Sequence, residues 1–383
     1  MRKSRRSATR SFNQSTHEKI YQMITDLTFQ STAYGAIRVA NRLVMAPMSR
    51  NRATVQGHAT ALMAKYYGQR ASAGLIVSEG MHPCQVGQGF ANAPGLFTNE
   101  QAASWKPVTK AVHDKGGKIV AQLMHAGRIG HPDLYPSAHG SIAPSAVAAA
   151  GEAYTRGGMK PYPLPREMTV AEIEQAIADH VNAARLAIEA GFDGIEVHAG
   201  NGFLIHQFLS QNTNHRIDQF GGPVENRIRF AQQTIAACAE AIGAGRVGVR
   251  ISPANPYNDI AEGDTDAIYR ALVPSLSCDL AYLHIMEANN RDMTQQIRAL
   301  WQGPFILNPH KDTRSWPTST EVISPILNEN LADGVALGAL FLANPDLVAR
   351  LKVDAVLNLP DEATFYGGDS RGYTDYPTLD QVV

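Results

Sequence analysis

Five places in the chain put polar residues where a strand pattern calls for apolar ones, and their types define the chemistry open to the protein. Ser49 follows Met45-Ala46-Pro47-Met48; Gln122 interrupts the run 119–123, with His125 just beyond it; His198 and Asn201 close the run 194–197; Arg250 sits between Val249 and Ile251; Glu287 follows His284. An unpaired buried guanidinium is unfavourable, so Arg250 requires either a carboxylate such as Glu196 or a ligand that accepts its hydrogen bonds. Gln122 offers a donor and an acceptor to a planar heterocycle, and equally to a core amide network. His198 and Asn201, three residues apart, can aim two neutral donors at one oxygen, which polarises a carbonyl and stabilises an enolate; the same pair can also serve structure alone. His125, His198 and His284 fall on separate strand candidates with no carboxylate spacing to select them as metal ligands. No G-x-S-x-G elbow is present, and Cys84, Cys238 and Cys278 are too far apart for a disulfide framework or a zinc site.

The elements that must position these residues alternate. Short apolar runs at 43–46, 75–78, 119–123, 194–198, 247–251, 281–284, 304–307 and 334–337 are separated by amphipathic segments, the pattern of repeated βα units. Eight such units make a (β/α)8 TIM barrel, an α/β fold, and each polar residue above lies near the carboxyl end of its strand, where barrel enzymes build their sites. A helix is expected over 169–190, with Thr169 and Glu172 as a capping box and Ile173, Ile177, Val181, Ala184 and Ile188 as its stripe. Another is expected over 225–242, with Ile228, Ala231, Ile235, Cys238 and Ile242 on one face and Gly243 beyond its end. Residues 129–168, after the third strand, are rich in Pro, Gly, Ser and Ala without a sustained period, which suits a lid loop over the barrel mouth. One barrel domain over 27–383 is expected, preceded by a basic, disordered extension over 1–26 whose Arg5-Arg6 lacks the apolar stretch of an export signal.

Composition narrows the partners. The 383 residues carry 34 basic and 35 acidic side chains, so no broad positive field seeks nucleic acid or an anionic bilayer. No apolar run reaches the roughly 18 residues of a membrane helix. A cytoplasmic protein, monomeric or homo-oligomeric, acting on a small molecule is the expectation.

A series of motifs runs in order along the chain: Asn41-Arg42-Leu43-Val44-Met45-Ala46-Pro47-Met48-Ser49-Arg50, Tyr66-Tyr67 with 69–76, Gln122-Leu123-Met124-His125-Ala126-Gly127-Arg128, 191–198 and His206-Gln207-Phe208-Leu209. Gly221-Gly222-Pro223-Val224-Glu225-Asn226-Arg227, Ala343-Asn344-Pro345-Asp346-Leu347, Phe365-Tyr366-Gly367-Gly368 and 372–377 complete it. In these motifs the chain, from Leu27 to Leu379, resembles the old yellow enzyme family of flavin-dependent ene reductases. The resemblance implies FMN at the mouth of a (β/α)8 barrel, NADPH or NADH as reductant and an α,β-unsaturated carbonyl compound as substrate. It also implies roles: Ser49 on the flavin O4 edge, Gln122 on the pyrimidine edge, Arg250 at N1 and O2, and backbone contacts from Pro47 and Met48. His198 and Asn201 would bind the substrate carbonyl, and Tyr67, Met124 and Tyr366 would line the substrate pocket.

Three departures qualify that reading. Phe203 stands where the family carries a tyrosine proton donor, and a phenyl ring cannot donate a proton. Tyr67, His125 or water would then finish the reduction, or the enzyme would be an isomerase or cyclase on a natural-product enone, with FMN binding lost. Asn308-Pro309-His310-Lys311 and Gly338-Ala339 replace the family's phosphate-binding turn and Gly-Arg pair, leaving Lys311 or Arg314 as substitute cations. Met124 stands where many relatives have tryptophan and softens the pocket wall. A barrel kept for binding without chemistry is the third and weakest alternative.

Overall fold

The computed structural model describes residues 27–135, 140–312 and 317–381, so the basic extension and Arg314 lie outside the described residues. Eight parallel strands close a barrel in chain order: β1 (Leu43–Met45), β2 (Leu75–Val77), β3 (Ile119–Leu123), β4 (Gly194–His198), β5 (Val247–Ile251), β6 (Tyr282–Met286), β7 (Phe305–Asn308) and β8 (Gly334–Leu337), with β8 paired to β1. All eight candidates from the sequence are present, with ends shifted by at most two residues.

Alternation along the strands separates two cores. Ile195, Val197, Val247, Val249 and Ile251 face the helices and join the large outer cluster. The inner cluster contains Val44, Leu75, Val120, Tyr282, Ile306 and Ala336, and the same inward face brings up Gln122, Glu196, His198, Arg250, His284 and Asn308 above it. Register aligns them: Glu196 pairs with Gln122, His198 with Arg250, Arg250 with His284, and Met286 with Asn308. Gly248 is required below Arg250, because a Cβ there would lie 2.3 Å from the Tyr282 ring. At the opposite end a hairpin of Thr32–Tyr34 and Ile37–Val39 inserts Tyr34, Ile37 and Val39 into the inner cluster, with Tyr34 edge-on to Tyr282.

The helix after residue 168 spans Val170–Glu189, and its capping box is formed, with Thr169 accepting from Glu172 and returning the bond. Its buried line runs through Ile173, Ala176, His180, Ala183, Ala184 and Ala187, whereas Ile177, Val181 and Ile188 are half-buried flanks. The small residues let the helix approach the barrel wall, and the branched ones fill in beside it. The second helix is divided into Val224–Arg227 and Arg229–Ile242 and ends at Gly243 with φ of 90°. Residues 129–168 are not a structureless loop: they hold an antiparallel hairpin, Glu152–Thr155 with Gly158–Pro161, and a short parallel pairing of Ile142–Ala143 with Arg166–Glu167. Among the described residues no helix is long and apolar enough to cross a membrane.

Candidate active site

A cavity of about 690 Å³ opens at the carboxyl ends of the strands. Pro47, Met48 and Ser49 border it after β1, Gln122 and Met124 on and after β3, His198, Asn201 and Phe203 on and after β4, Arg250 on β5, Asn308 on β7, Gly338 and Ala339 after β8, and Tyr366 from the carboxyl-terminal segment. The residues singled out from the sequence thus converge, with two exceptions among the site assignments.

Tyr67 does not border the cavity. It is 1% exposed; its hydroxyl donates to Glu79 Oε1 at 3.3 Å and accepts from the Glu79 N–H at 2.9 Å. Glu79 in turn accepts the backbone N–H groups of Arg50 and Asn51 at 3.1 and 3.2 Å, so Tyr67 braces the segment that carries Pro47–Ser49. The pocket role expected of Tyr67 is therefore corrected to one behind the wall. Lys311 is exposed and off the cavity, while its neighbour His310 borders it. Two further polar candidates are structural. His125 is buried away from the cavity, with Nδ1 accepting from the Gly127 N–H at 3.1 Å, and burial pushes its pKa down to about 3, which removes it as an acid at neutral pH. Glu287 is held by Arg291 at 2.6 and 2.9 Å and by Thr294.

Arg250 is the electrostatic centre. The carboxylate expected as its alternative partner is engaged elsewhere: Glu196 accepts from Gln122 Nε2 and His284 Nδ1, each at 2.8 Å. Burial alone would raise Glu196, but His284, Arg250 and Gln122 outweigh it and keep the group ionised. Arg250 touches no carboxylate among the described residues. Nη2 donates to Asn308 Oδ1 at 2.8 Å, and Nε is buried without a partner. Asn308 spends its amide nitrogen on the Ala336 carbonyl at 2.9 Å, so it aims Arg250.

The pair expected to bind a carbonyl, His198 and Asn201, has a fixed polarity. The Gly200 N–H donates to His198 Nδ1 at 3.3 Å, which leaves the ring proton on Nε2. Burial, then the nearby Arg250, holds the His198 pKa well below its ordinary value, so the ring is a neutral donor. Asn201 adopts φ of 53°, and its side-chain oxygen accepts from Asn255 Nδ2 at 3.4 Å, leaving the amide N–H groups to donate. The turn is anchored from beneath: His206 accepts the Gly202 N–H at 3.0 Å on Nδ1 and bonds Glu262 at 2.6 Å through Nε2. Phe203 packs edge-on to His198, with ring centroids 5.1 Å apart. The sequence reading missed His206 with Glu262, and also Tyr154, Met159 and Tyr162, which border the cavity from 129–168. Aromatic residues in an aperiodic, Pro- and Gly-rich stretch were the available signal for the latter.

A model of the NADH:flavin oxidoreductase / NADH oxidase family matches residues 28–358. The chain belongs to that family. Similar proteins include a probable flavin mononucleotide-dependent alkene reductase of Leishmania infantum, 39% identical over 364 residues, covering 92% of this chain and 98% of the relative. Putative 12-oxophytodienoate reductase 5 of Oryza sativa subsp. japonica is 38% identical, covering 93% and 95%. Among solved structures, the old yellow enzyme homologue from Zymomonas mobilis has a TM-score of 0.87 at 38% identity, covering 92% of this chain and 99% of its own. Morphinone reductase in complex with tetrahydroNAD has a TM-score of 0.86 at 39% identity, covering 93% and 98%. The old yellow enzyme resemblance is thereby borne out.

The family implies FMN, and the two ends of the cavity answer that differently. The ring end fits: a buried cation with an unpartnered Nε and an amide whose carbonyl is uncommitted face one space. The phosphate end is weaker. Barrel enzymes bind phosphate in the loops after strands seven and eight, beside a short extra helix. Here the helix Ala339–Ala343 occupies that place, and Ala339 borders the cavity where a guanidinium would clamp phosphate. Ala339→Arg is expected to tighten FMN about tenfold or more, the worth of one charge-assisted contact, and to leave riboflavin unaffected. Flavin fluorescence titrations with both ligands measure this; equal gains for the two would refute a phosphate contact.

Proposed function

We propose that the protein is an FMN-dependent ene reductase that saturates the C=C bond of an α,β-unsaturated carbonyl compound, using NADPH or NADH. The observation that carries this is the placement of two neutral donors, His198 and Asn201, on the same cavity as the incompletely paired Arg250. The chemistry FMN supplies when bound is hydride transfer, from the nicotinamide and then to the substrate β-carbon.

The chain's own residues do the rest. His198 Nε2–H and the Asn201 amide donate to the carbonyl oxygen and strengthen as charge develops there, which lowers the barrier most where the donors are already fixed and desolvated. Arg250 favours an anionic ring over a neutral one, while Ser49 and Gln122 set the ring's hydrogen-bonding edges. Pro47 and Met48 supply the wall after β1, Met124 and Tyr366 the substrate side, and Gly338 admits the ligand close to the backbone. Asn308 orients Arg250. The isomerase or cyclase reading rested on Phe203 and the altered phosphate end; the reductases named among its relatives favour reduction. The free thiols at Cys84, Cys238 and Cys278 suit the reducing cytoplasm.

The purified protein should be yellow, or become so with added FMN, bleach with NADH or NADPH without oxygen, and regain colour with 2-cyclohexenone. A protein that stays colourless after FMN addition sinks this reading.

A further inference from the structure

Position 203 lacks an acid, yet reduction of an enone needs a proton at the α-carbon. We propose that Tyr162, on the segment over the barrel mouth, supplies it. The inference deepens the ene-reductase reading and rests on it.

Four tyrosines border the cavity: Tyr154, Tyr162, Tyr257 and Tyr366. Three stand towards solvent, Tyr154 at 41%, Tyr257 at 38% and Tyr366 at 63% exposure. Tyr162 is only half-exposed and packs, with Phe90, against the apolar cluster of Met124, Ala126, Ile129, Ala149 and Phe203. That cluster forms the wall beside His198, because Phe203 lies against the imidazole. A phenol there stands close to the place vacated at 203, on an element from a different part of the chain. Its hydroxyl has no hydrogen-bond partner among the described residues, so its proton is not committed to the protein. Burial raises its pKa, so the phenol is protonated when the substrate arrives. The acids that the sequence offered are excluded by placement: His125 and Tyr67 lie off the cavity, and neutral His198 is occupied in holding the oxygen.

The step balances simply. The enolate left by hydride addition takes the Tyr162 O–H proton at its α-carbon; a C–H bond forms, the O–H bond breaks, and the phenolate is reprotonated by water at the open mouth. No further reductant or oxidant enters.

The test uses the flavin-loaded enzyme, Tyr162→Phe, and Tyr162→Phe combined with Phe203→Tyr. Tyr162→Phe is expected to bleach with NAD(P)H at the parent rate and to bind phenol, read from its flavin difference spectrum, with parent affinity. Formation of saturated ketone from 2-cyclohexenone should slow about a hundredfold, within the range of general acid catalysis. Adding Phe203→Tyr should restore at least tenfold of that, since it returns a phenol to the same wall. Ketone formation by Tyr162→Phe at the parent rate, with the parent solvent deuterium isotope effect, overturns the proposal. So does a loss that extends to phenol binding and bleaching, because the ring would then be packing and nothing more. If the parent enzyme itself bleaches but forms no saturated ketone, the ene-reductase reading has failed and Tyr162 falls with it.

Discussion

Methionine in place of Arg250 is expected to give a protein that is more stable without flavin and binds flavin about ten- to a hundredfold more weakly. Both effects follow from one side chain. In the flavin-free protein the guanidinium is 4% exposed, touches no carboxylate among the described residues and leaves Nε unbonded, so its desolvation is only partly offset by Asn308 and by the more distant Glu196. Replacing such a group by an apolar one of similar length is commonly neutral or stabilising by about 1–4 kcal/mol. In the loaded protein the same replacement removes a charge-assisted hydrogen bond worth about 1.5–3 kcal/mol, which gives the expected loss of affinity. Thermal unfolding of the deflavinated forms and fluorescence titration with FMN separate the two. If Arg250→Met destabilises the flavin-free protein and leaves FMN affinity intact, the side chain is a structural cation and the site assignment is wrong.

The second large effect is expected from the proposed carbonyl-binding pair. His198→Ala and Asn201→Ala should each weaken phenol binding to the oxidised enzyme by about tenfold or more, because a phenolate oxygen presents the charge that an enolate develops. The double replacement should fall short of the product of the two singles, since either donor alone still holds the oxygen. Flavin retention is expected to be unchanged, because neither side chain bonds the Arg250 guanidinium or the Asn308 amide, which bond each other and the Ala336 carbonyl. Unaltered phenol affinity in both single variants would falsify their role.

The barrel was legible because its strands are buried on both faces, so apolar runs of four or five residues stand out against longer periodic helices. The site was legible for a related reason: Gln122, His198 and Arg250 are polar residues at inward positions of those same runs. What misled was depth. Tyr67 sits two turns into an amphipathic helix, and only the carboxylate of Glu79, twelve residues on, shows that its hydroxyl turns away from the cavity. Glu287 lies at a strand end like the others, but Arg291 follows at helical spacing and takes it. The hairpin bordering the cavity was invisible because Glu152–Thr155 buries alternate residues on one strand while its partner, Gly158–Pro161, buries none. His206 and Glu262 are 56 residues apart, and nothing local in either segment announces the pairing.

The stopper of Tyr34, Ile37 and Val39 at the barrel floor has a kinetic corollary. Whatever reaches Arg250 must arrive and depart through the rim, so on the proposed reading nicotinamide and enone share one entrance and compete for it. Raising the nicotinamide concentration should therefore eventually slow turnover, and adding enone should relieve the slowing.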